Sequence, residues 1–317
     1  MPRVSIVIPT FNRRAMLGEA VVSALAQRYP DLEVLVSDNC STDGTAEAMQ
    51  AHLGDPRFRY VRNEANLGMV GNWRRAVFEY ARGDWFLILS DDDLLLDPDY
   101  LTKAMALVEE RPDLVLVYAG GWVLYEASGR RRALRPPFGR VERGATVFAS
   151  RDRVKPMDFT LCNVLFRRSL AIERDAFADP LNLCCDSQLF LELCLLGDVG
   201  VIPELVSLYR IHGANLILRP HPDVPTHLAN LSHYLKPRRL ALARGALTPR
   251  QRRRFDRKAR KAVRRTILLV ARRQPWLLRG LLRALWDAER ELTRRTLLDP
   301  VLYLKALLHR AARLVGR

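Results

Sequence analysis

From its start the chain alternates short continuous apolar runs with stretches in which apolar residues return every three or four positions. VSIVIP (4–9), LEVLVSD (32–38), FRYVRN (58–63) and GDWFLILS (83–90) read as strands buried on both faces. Between them, residues 14–27, 45–53 and 73–82 carry apolar positions at helical spacing, with Leu17, Val21 and Leu25 on one stripe. Strands alternating with helices predict a mostly parallel sheet flanked by helices, an α/β class. Beyond it, LVLVYAGGWVLYE (114–126) and ATVFAS (145–150) read as further strands around an Arg-rich turn. CNVLFRRSLAIER and CDSQLFLELCLLG read as a strand and a helix, and VGVIPELVSLYRIHG closes the region.

The pattern changes in the last third. Thr248 as N-cap and Pro249 at the first helical position predict a helix start. Phe255, Ala259, Ala262, Val263, Ile267 and Val270 then form one apolar stripe, and Arg and Lys fill the remaining positions. Gln274–Pro275 ends this helix. A second amphipathic segment carries Leu278, Leu281, Leu282, Leu285 and Trp286, and Asp299–Pro300 starts a third.

Charge sharpens this division. The net charge is +16, but residues 1–214 hold 25 Lys/Arg against 29 Asp/Glu, whereas residues 215–317 hold 26 against 6. The expected organisation is therefore a catalytic-looking domain over 1–215 and a basic, amphipathic helical region over 216–317. Three readings of that region stand side by side. It is a set of interfacial helices on an anionic membrane, a nucleic-acid surface, or an appendage whose Leu stripes pack inward beneath a solvated Arg face. Nucleic acid is disfavoured because aromatic residues are few and no recognisable motif accompanies the charge. No apolar run reaches the roughly 18 residues of a membrane span, and the start is too polar after its apolar segment for a signal peptide. The five cysteines fit neither a metal-site spacing nor a disulfide framework, so reduced thiols in the cytoplasm are expected.

The polar clusters follow the strands, where ligands bind in such sheets. PTFN follows the first, SDNCSTDG the second and SDDD the fourth. Asp91, Asp92 and Asp93 repel one another unless compensated, and three carboxylates suit a hard divalent cation such as Mg2+ or Mn2+. The competing explanation is a helix N-terminus, but Asp97–Pro98 supplies that without the triplet. Asp38 could accept a hydrogen bond from a nucleobase imide or a ribose hydroxyl, or could only shape an Asx turn. Asp186 could cap the helix that follows it or act as a general base. His212, in YRIHGAN, could be structural, or could contact a metal or phosphate.

VSIVIPTFNRRAMLGEAVVSALAQRYPDLEVLVSDNCSTDGT, NEANLGMVGNWRRAV, GDWFLILSDDDLL and YRIHGAN, in that order, resemble the family 2 glycosyltransferases of the bacterial surface-polysaccharide type. The similarity covers about residues 3–215. It implies a GT-A fold, a Rossmann-like sheet with helices on both faces, here with a basic C-terminal helical extension. It also implies inverting, hexosyltransferase-like transfer from a nucleotide-diphosphate sugar to a glycan or lipid-linked acceptor, with Mn2+ or Mg2+. By the resemblance, Pro9, Thr10 and Asn12 hold the nucleotide, Asp38 contacts the base, and Asn66 and Gly68 lie beside the ribose and base. Asp91–Asp93 match the DXD motif, with Asp92 and Asp93 toward the metal and Asp91 nearer the ribose. Asp186 matches the catalytic base, preceded here by Cys185 where the family often has Glu. His212 matches a late His near the metal or diphosphate. The motif reads Ser-Asp-Asp-Asp where relatives often read Asp-Ala-Asp-Asp. A non-catalytic nucleotide-sugar-binding or membrane-assembly protein on this scaffold is the alternative from another class. A sugar nucleotidyltransferase is the alternative enzyme; it would carry a Gly-rich basic loop directly after the first strand, where this chain has PTFNRR. The resemblance leaves the basic region unexplained; peripheral placement on the inner face of the membrane would suit a lipid-linked acceptor.

Overall fold

The computed structural model describes residues 4–150, 160–213, 215 and 223–300. The chain divides into two compact units, Met1–Arg219 and Pro220–Arg317.

In the first unit, β1 (Val4–Thr10), α1 (Arg14–Leu25), β2 (Leu32–Asp38), α2 (Thr45–Met49), β3 (Phe58–Arg62), α3 (Gly68–Arg75) and β4 (Trp85–Ile88) follow the predicted alternation. β5 (Leu94–Leu95), α4 (Tyr100–Glu110), β6 (Leu116–Tyr125), β7 (Arg130–Leu134), β8 (Val141–Glu142), α5 (Gly144–Ala149), β9 (Val164–Arg167), α6 (Arg168–Glu173), α7 (Cys185–Leu193) and β10 (Val199–Ile211) complete it. All but two of the ten strands lie on one path, in the order β3-β2-β1-β4-β9-β6-β10-β5. β3, β2, β1 and β4 run parallel, while β9 enters antiparallel between β4 and β6.

Every residue of β1 and β2 is buried, which is why both read as predominantly apolar runs. Val4, Ile6, Ile8, Val34 and Val36 pack with Leu17, Ala20, Val21 and Ala24 of α1 in the main core. Two local expectations give way. ATVFAS is the helix α5, not a strand: Gly144 lies against the backbone oxygens of Cys194 and Gly197, 2.2 and 2.1 Å from where a Cβ would stand. That close approach fixes the chain direction more firmly than β-propensity does. The third helix begins at Gly68, not near Trp73, because Gly68 takes a left-handed φ of 72° that starts the turn early.

The strand ends matter for the site. The β1–β2 register sets Thr10 beside Asp38, and Leu89 N donates to Val7 O, so β4 leaves the sheet at the same edge. Asp93 N closes a turn onto Ser90 O. The chain then re-enters the sheet as β5, antiparallel to Ser207 and Leu208 of β10. The three aspartates therefore sit in a loop held between two strands, and the last residues of β10 are brought over them.

The second unit is a helical bundle: α8 (Val224–Ala243), α9 (Pro249–Arg273), α10 (Leu278–Ala288) and α11 (Arg290–Leu297). Thr248 caps α9 with Pro249 at the first position, as predicted, and Gln251 completes a reciprocal capping box with Thr248. α8 and α11 have no counterpart among the expected segments; Pro237 inside α8 hides its period. The segment expected beyond Pro300 lies outside the described residues. Ala259, Val263, Ile267 and Val270 of α9 pack with Leu231 and Leu235 of α8, Leu281 and Leu285 of α10, and Leu292 of α11. The apolar stripe is thus used within the bundle and is not free to enter a bilayer.

Candidate nucleotide-sugar site

Thr10, the last residue of β1, donates its hydroxyl to Asp91 Oδ2 at 2.7 Å. Arg13, at the head of α1, reaches Asp91 Oδ1 at 3.2 Å and Asp92 Oδ2 at 2.5 Å. Asp92 Oδ2 also lies 2.9 Å from His212 Nε2 and 3.4 Å from Asn215 Nδ2. Asn215 Oδ1 in turn accepts from His212 N at 2.6 Å, which fixes the loop after β10. Asp93 faces differently: its Oδ1 accepts from Arg210 N at 2.9 Å. The Arg210 guanidinium donates to the Asp92 carbonyl and to Glu19 on α1.

Each aspartate of the triplet is at least 95% buried. Burial pushes Asp91 up to about 6, although Arg13 and Thr10 favour its charge. Burial, and then the neighbouring Asp92, raise Asp93 well above the usual carboxylate range. The cluster is therefore short of positive charge even with Arg13 in place. Its chemistry, carboxylate oxygens beside an imidazole nitrogen, fits Mn2+ or Mg2+. Among the described residues no three His, Cys, Asp or Glu side chains form a ready ligand group. Asp92 and His212 meet, while Asp93 points at the β10 backbone.

Asp38 is fully buried. Its Oδ1 accepts from Ser41 N at 2.9 Å and its Oδ2 from the Tyr60 hydroxyl at 2.5 Å, with Arg62 Nε at 3.7 Å. The turn-shaping role is thus realised. Asn12, at a left-handed φ of 54°, accepts from Thr42 N and ties the β1 loop to the β2 loop. Asn66 Oδ1 accepts from Asn39 Nδ2 and Gly68 N, both at 2.8 Å, which joins the β2 loop to the head of α3. Pro9 is buried opposite Ser37 in the sheet.

Asp186 lies in the first turn of α7, half-buried, and Cys184 holds the N-cap position without a side-chain cap. The simple capping role is therefore not taken. Tyr209, on β10, is half-buried, and its hydroxyl is held above its ordinary range by burial first and then by the negative charges of Asp93 and Asp92. Arg13, Tyr209, Arg210 and Asn215 were not singled out from sequence. Arg13 had a signal, a basic residue in the loop directly after the first strand. Arg210 and Asn215 flank His212 in YRIHGAN.

A sequence model described as Glycosyl transferase family 2 matches residues 5–174. The chain belongs to glycosyl transferase family 2. Among family 2 relatives, the putative colanic acid biosynthesis glycosyl transferase WcaA of Escherichia coli is 24% identical over 70% of this chain and 77% of its own. The GalNAc(5)-diNAcBac-PP-undecaprenol beta-1,3-glucosyltransferase of Campylobacter jejuni is 38% identical over 30% of this chain and 31% of its own. The chain spans 58% of the length of the uncharacterized mycobacterial proteins it matches and 13% of a Sinorhizobium fredii one. The fold is that of GT-A enzymes. S. aureus TarS in complex with UDP-GlcNAc aligns over 93% of this chain and 82% of its own, with a TM-score of 0.69 at 16% identity. A mannosyltransferase from Pyrobaculum calidifontis in complex with GDP-Man and Mn2+ aligns over all of this chain and 81% of its own, with a TM-score of 0.53 at 18% identity. Among the described residues no helix is long and apolar enough to cross a membrane.

Proposed function

We propose that this protein is an inverting, metal-dependent glycosyltransferase. It would move a hexose from a nucleotide-diphosphate sugar to a hydroxyl of a surface glycan or lipid-linked acceptor. The observation that carries the reading is the meeting of Thr10, Arg13, Asp91, Asp92 and His212 at the carboxyl edge of parallel strands. The glycan-building names of the relatives support the acceptor class, and the nucleotide sugars in the two aligned structures support the donor class.

In this mechanism Pro9, Thr10, Asn12, Asn66 and Gly68 shape the loops around the nucleotide. Asp38 keeps the remaining acceptor capacity of its carboxylate for the base, since such a group accepts about four hydrogen bonds. Asp91 faces the ribose. Asp92 and His212 would hold Mn2+ or Mg2+, joined by Asp93 if it releases the β10 backbone. The ion would neutralise charge on the departing diphosphate. Asp186 takes the proton of the attacking hydroxyl at a carboxylate oxygen, on the face of the sugar opposite the diphosphate. The second unit places the protein on the cytoplasmic face of an anionic membrane, where a lipid-linked acceptor would be found.

The test is donor turnover across UDP- and GDP-sugars with Mn2+, followed by Asp186→Asn. The variant should keep donor binding and lose transfer by about 100- to 10,000-fold. Undiminished transfer would end the base assignment, and a chain that binds no nucleotide sugar would end the reading as a whole.

A further inference from the structure

α9 carries twelve Lys and Arg residues and one acid, Asp256, in 25 residues. Its buried face is Phe255, Ala259, Val263, Ile267 and Val270. At 100° per residue, Arg253, Arg257, Lys261 and Arg265 fall on the opposite side, one helical turn apart, and all four are exposed. They form an oblique row that rises about 18 Å along the outer side of the helix. Like charges at this i, i+4 spacing repel one another.

Four of the six acids in this unit are engaged by other basic residues. Asp256 and Glu289 hold Arg238, Glu289 also holds Arg239, Asp299 holds Arg264, and Glu291 holds Arg294 and Arg295. Among the described residues, none of the four row residues has an acidic partner. The row is thus a surface whose repulsion an external polyanion would relieve. Where α9 ends, the Gln274–Pro275 break turns out Trp276, which is 73% exposed. Arg272, Arg273 and Arg279 flank it in sequence and are exposed too. An exposed indole among guanidinium groups is the composition of a membrane-interface anchor.

We propose that the second unit binds an anionic bilayer through the row Arg253–Arg257–Lys261–Arg265 and the Trp276 elbow, and not through the apolar stripe of α9. This inference rests on the peripheral placement proposed above and names the surface that achieves it. Lipid is favoured over nucleic acid because no aromatic residue is interleaved with the row on which bases could stack. The aromatic group stands instead at the end of the helix, where it can enter the headgroup layer. The four basic residues together supply a salt-sensitive attraction to such a surface, which the indole extends.

The experiment uses the full chain with sedimented vesicles of phosphatidylglycerol and phosphatidylcholine, or of phosphatidylcholine alone. The expected result is binding to the anionic vesicles only, weakened by salt, with Trp fluorescence quenched by brominated lipid. Arg257→Gln with Lys261→Gln should reduce binding at least tenfold while leaving thermal stability equal or higher, because it removes repulsion and no packing. Trp276→Phe should abolish most of the quenching. If the full chain ignores anionic vesicles, both the placement and this surface fall. If it binds them and the Gln pair binds equally well, the placement stands and the row is refuted. If the chain prefers duplex DNA or RNA to vesicles at the same salt, the lipid assignment is overturned.

Discussion

Arg13→Gln tests the electrostatics of the site without requiring any substrate. The guanidinium lies within hydrogen-bond range of two carboxylates that are almost wholly buried, while about a quarter of its own side chain is exposed. Removing one partner of a fully buried pair costs about 3–5 kcal/mol, and an exposed pair is worth less than about 1. The partial exposure of Arg13 places the loss at about 2–3 kcal/mol near pH 8. The sign of its pH dependence follows from Asp91. That group sits at about 6 in the folded state against an ordinary value of 3.8. A raised acid costs nothing while protonated, and its cost grows as pH climbs through the interval between the two values. At about 1.4 kcal/mol per pH unit, the 2.2 units amount to about 3 kcal/mol above pH 6. Glutamine removes a positive charge that lowers this value, so Asp91 rises further and the variant suffers most at high pH. Below about pH 5 both proteins carry Asp91 protonated, and only the Asp92 share of the loss, about 1 kcal/mol, remains.

Urea unfolding followed by circular dichroism at pH 8 and pH 5 reads this directly. The gap between wild type and variant should shrink by at least half on acidification. Mn2+ added at pH 8 should narrow it too, because the ion would take over part of the guanidinium's role on the same oxygens. A gap independent of pH, or one below about 0.5 kcal/mol at pH 8, would refute the view of Arg13 as counter-ion to the triplet.

Three other perturbations probe the frame. Gly144→Ala should destabilise by about 2–3 kcal/mol in urea, since the new Cβ meets the Cys194 and Gly197 carbonyl oxygens at 2.2 and 2.1 Å; a neutral result would mean that α5 shifts freely. Glu33 lies in the sheet and lies below the usual carboxylate range: burial opposes its charge, but Ser5, the Arg82 N–H and Arg59 outweigh it. A depressed acid stabilises above its unfolded value and loses that contribution as pH falls through the folded one. Glu33→Gln should therefore cost about 2–3 kcal/mol at pH 7, with the gap to wild type closing as pH falls below the usual carboxylate range in a pH series of urea midpoints. Thr248→Ala removes the side-chain cap on α9 and should cost about 1 kcal/mol, with a fall in helical ellipticity confined to the second unit.

How far the sequence reached depends on which forces acted locally. β1, β2 and β4 were legible because strands buried on both faces are mostly apolar, and VSIVIP, LEVLVSD and WFLI depart from that only at Ser5, Glu33, Ser37 and Asp38. The α9 start was legible because Thr248 can accept from an orphaned N–H in any context and Pro249 has no N–H to leave unpaired. ATVFAS failed because its β-branched residues favour a strand, whereas the constraint on it is the contact of Gly144 with a backbone more than 45 residues away. The amphipathic face of α9 could be read from spacing, but not what covers it. A membrane and a neighbouring helix impose the same period, and only the packing against α8, α10 and α11 separates them. The site shows the same limit. SDDD announced a demand for positive charge, and any cation satisfies such a demand on paper. That the chain itself supplies Arg13 to two of the three carboxylates, and a backbone N–H to the third, depends on β5 pairing with β10 some 110 residues later. The triplet is therefore not a bare ligand set waiting for an ion. A divalent cation would have to compete with Arg13 for Asp92 and with the β10 backbone for Asp93. Its affinity should then depend on a diphosphate arriving with it, to draw the guanidinium away from the carboxylates.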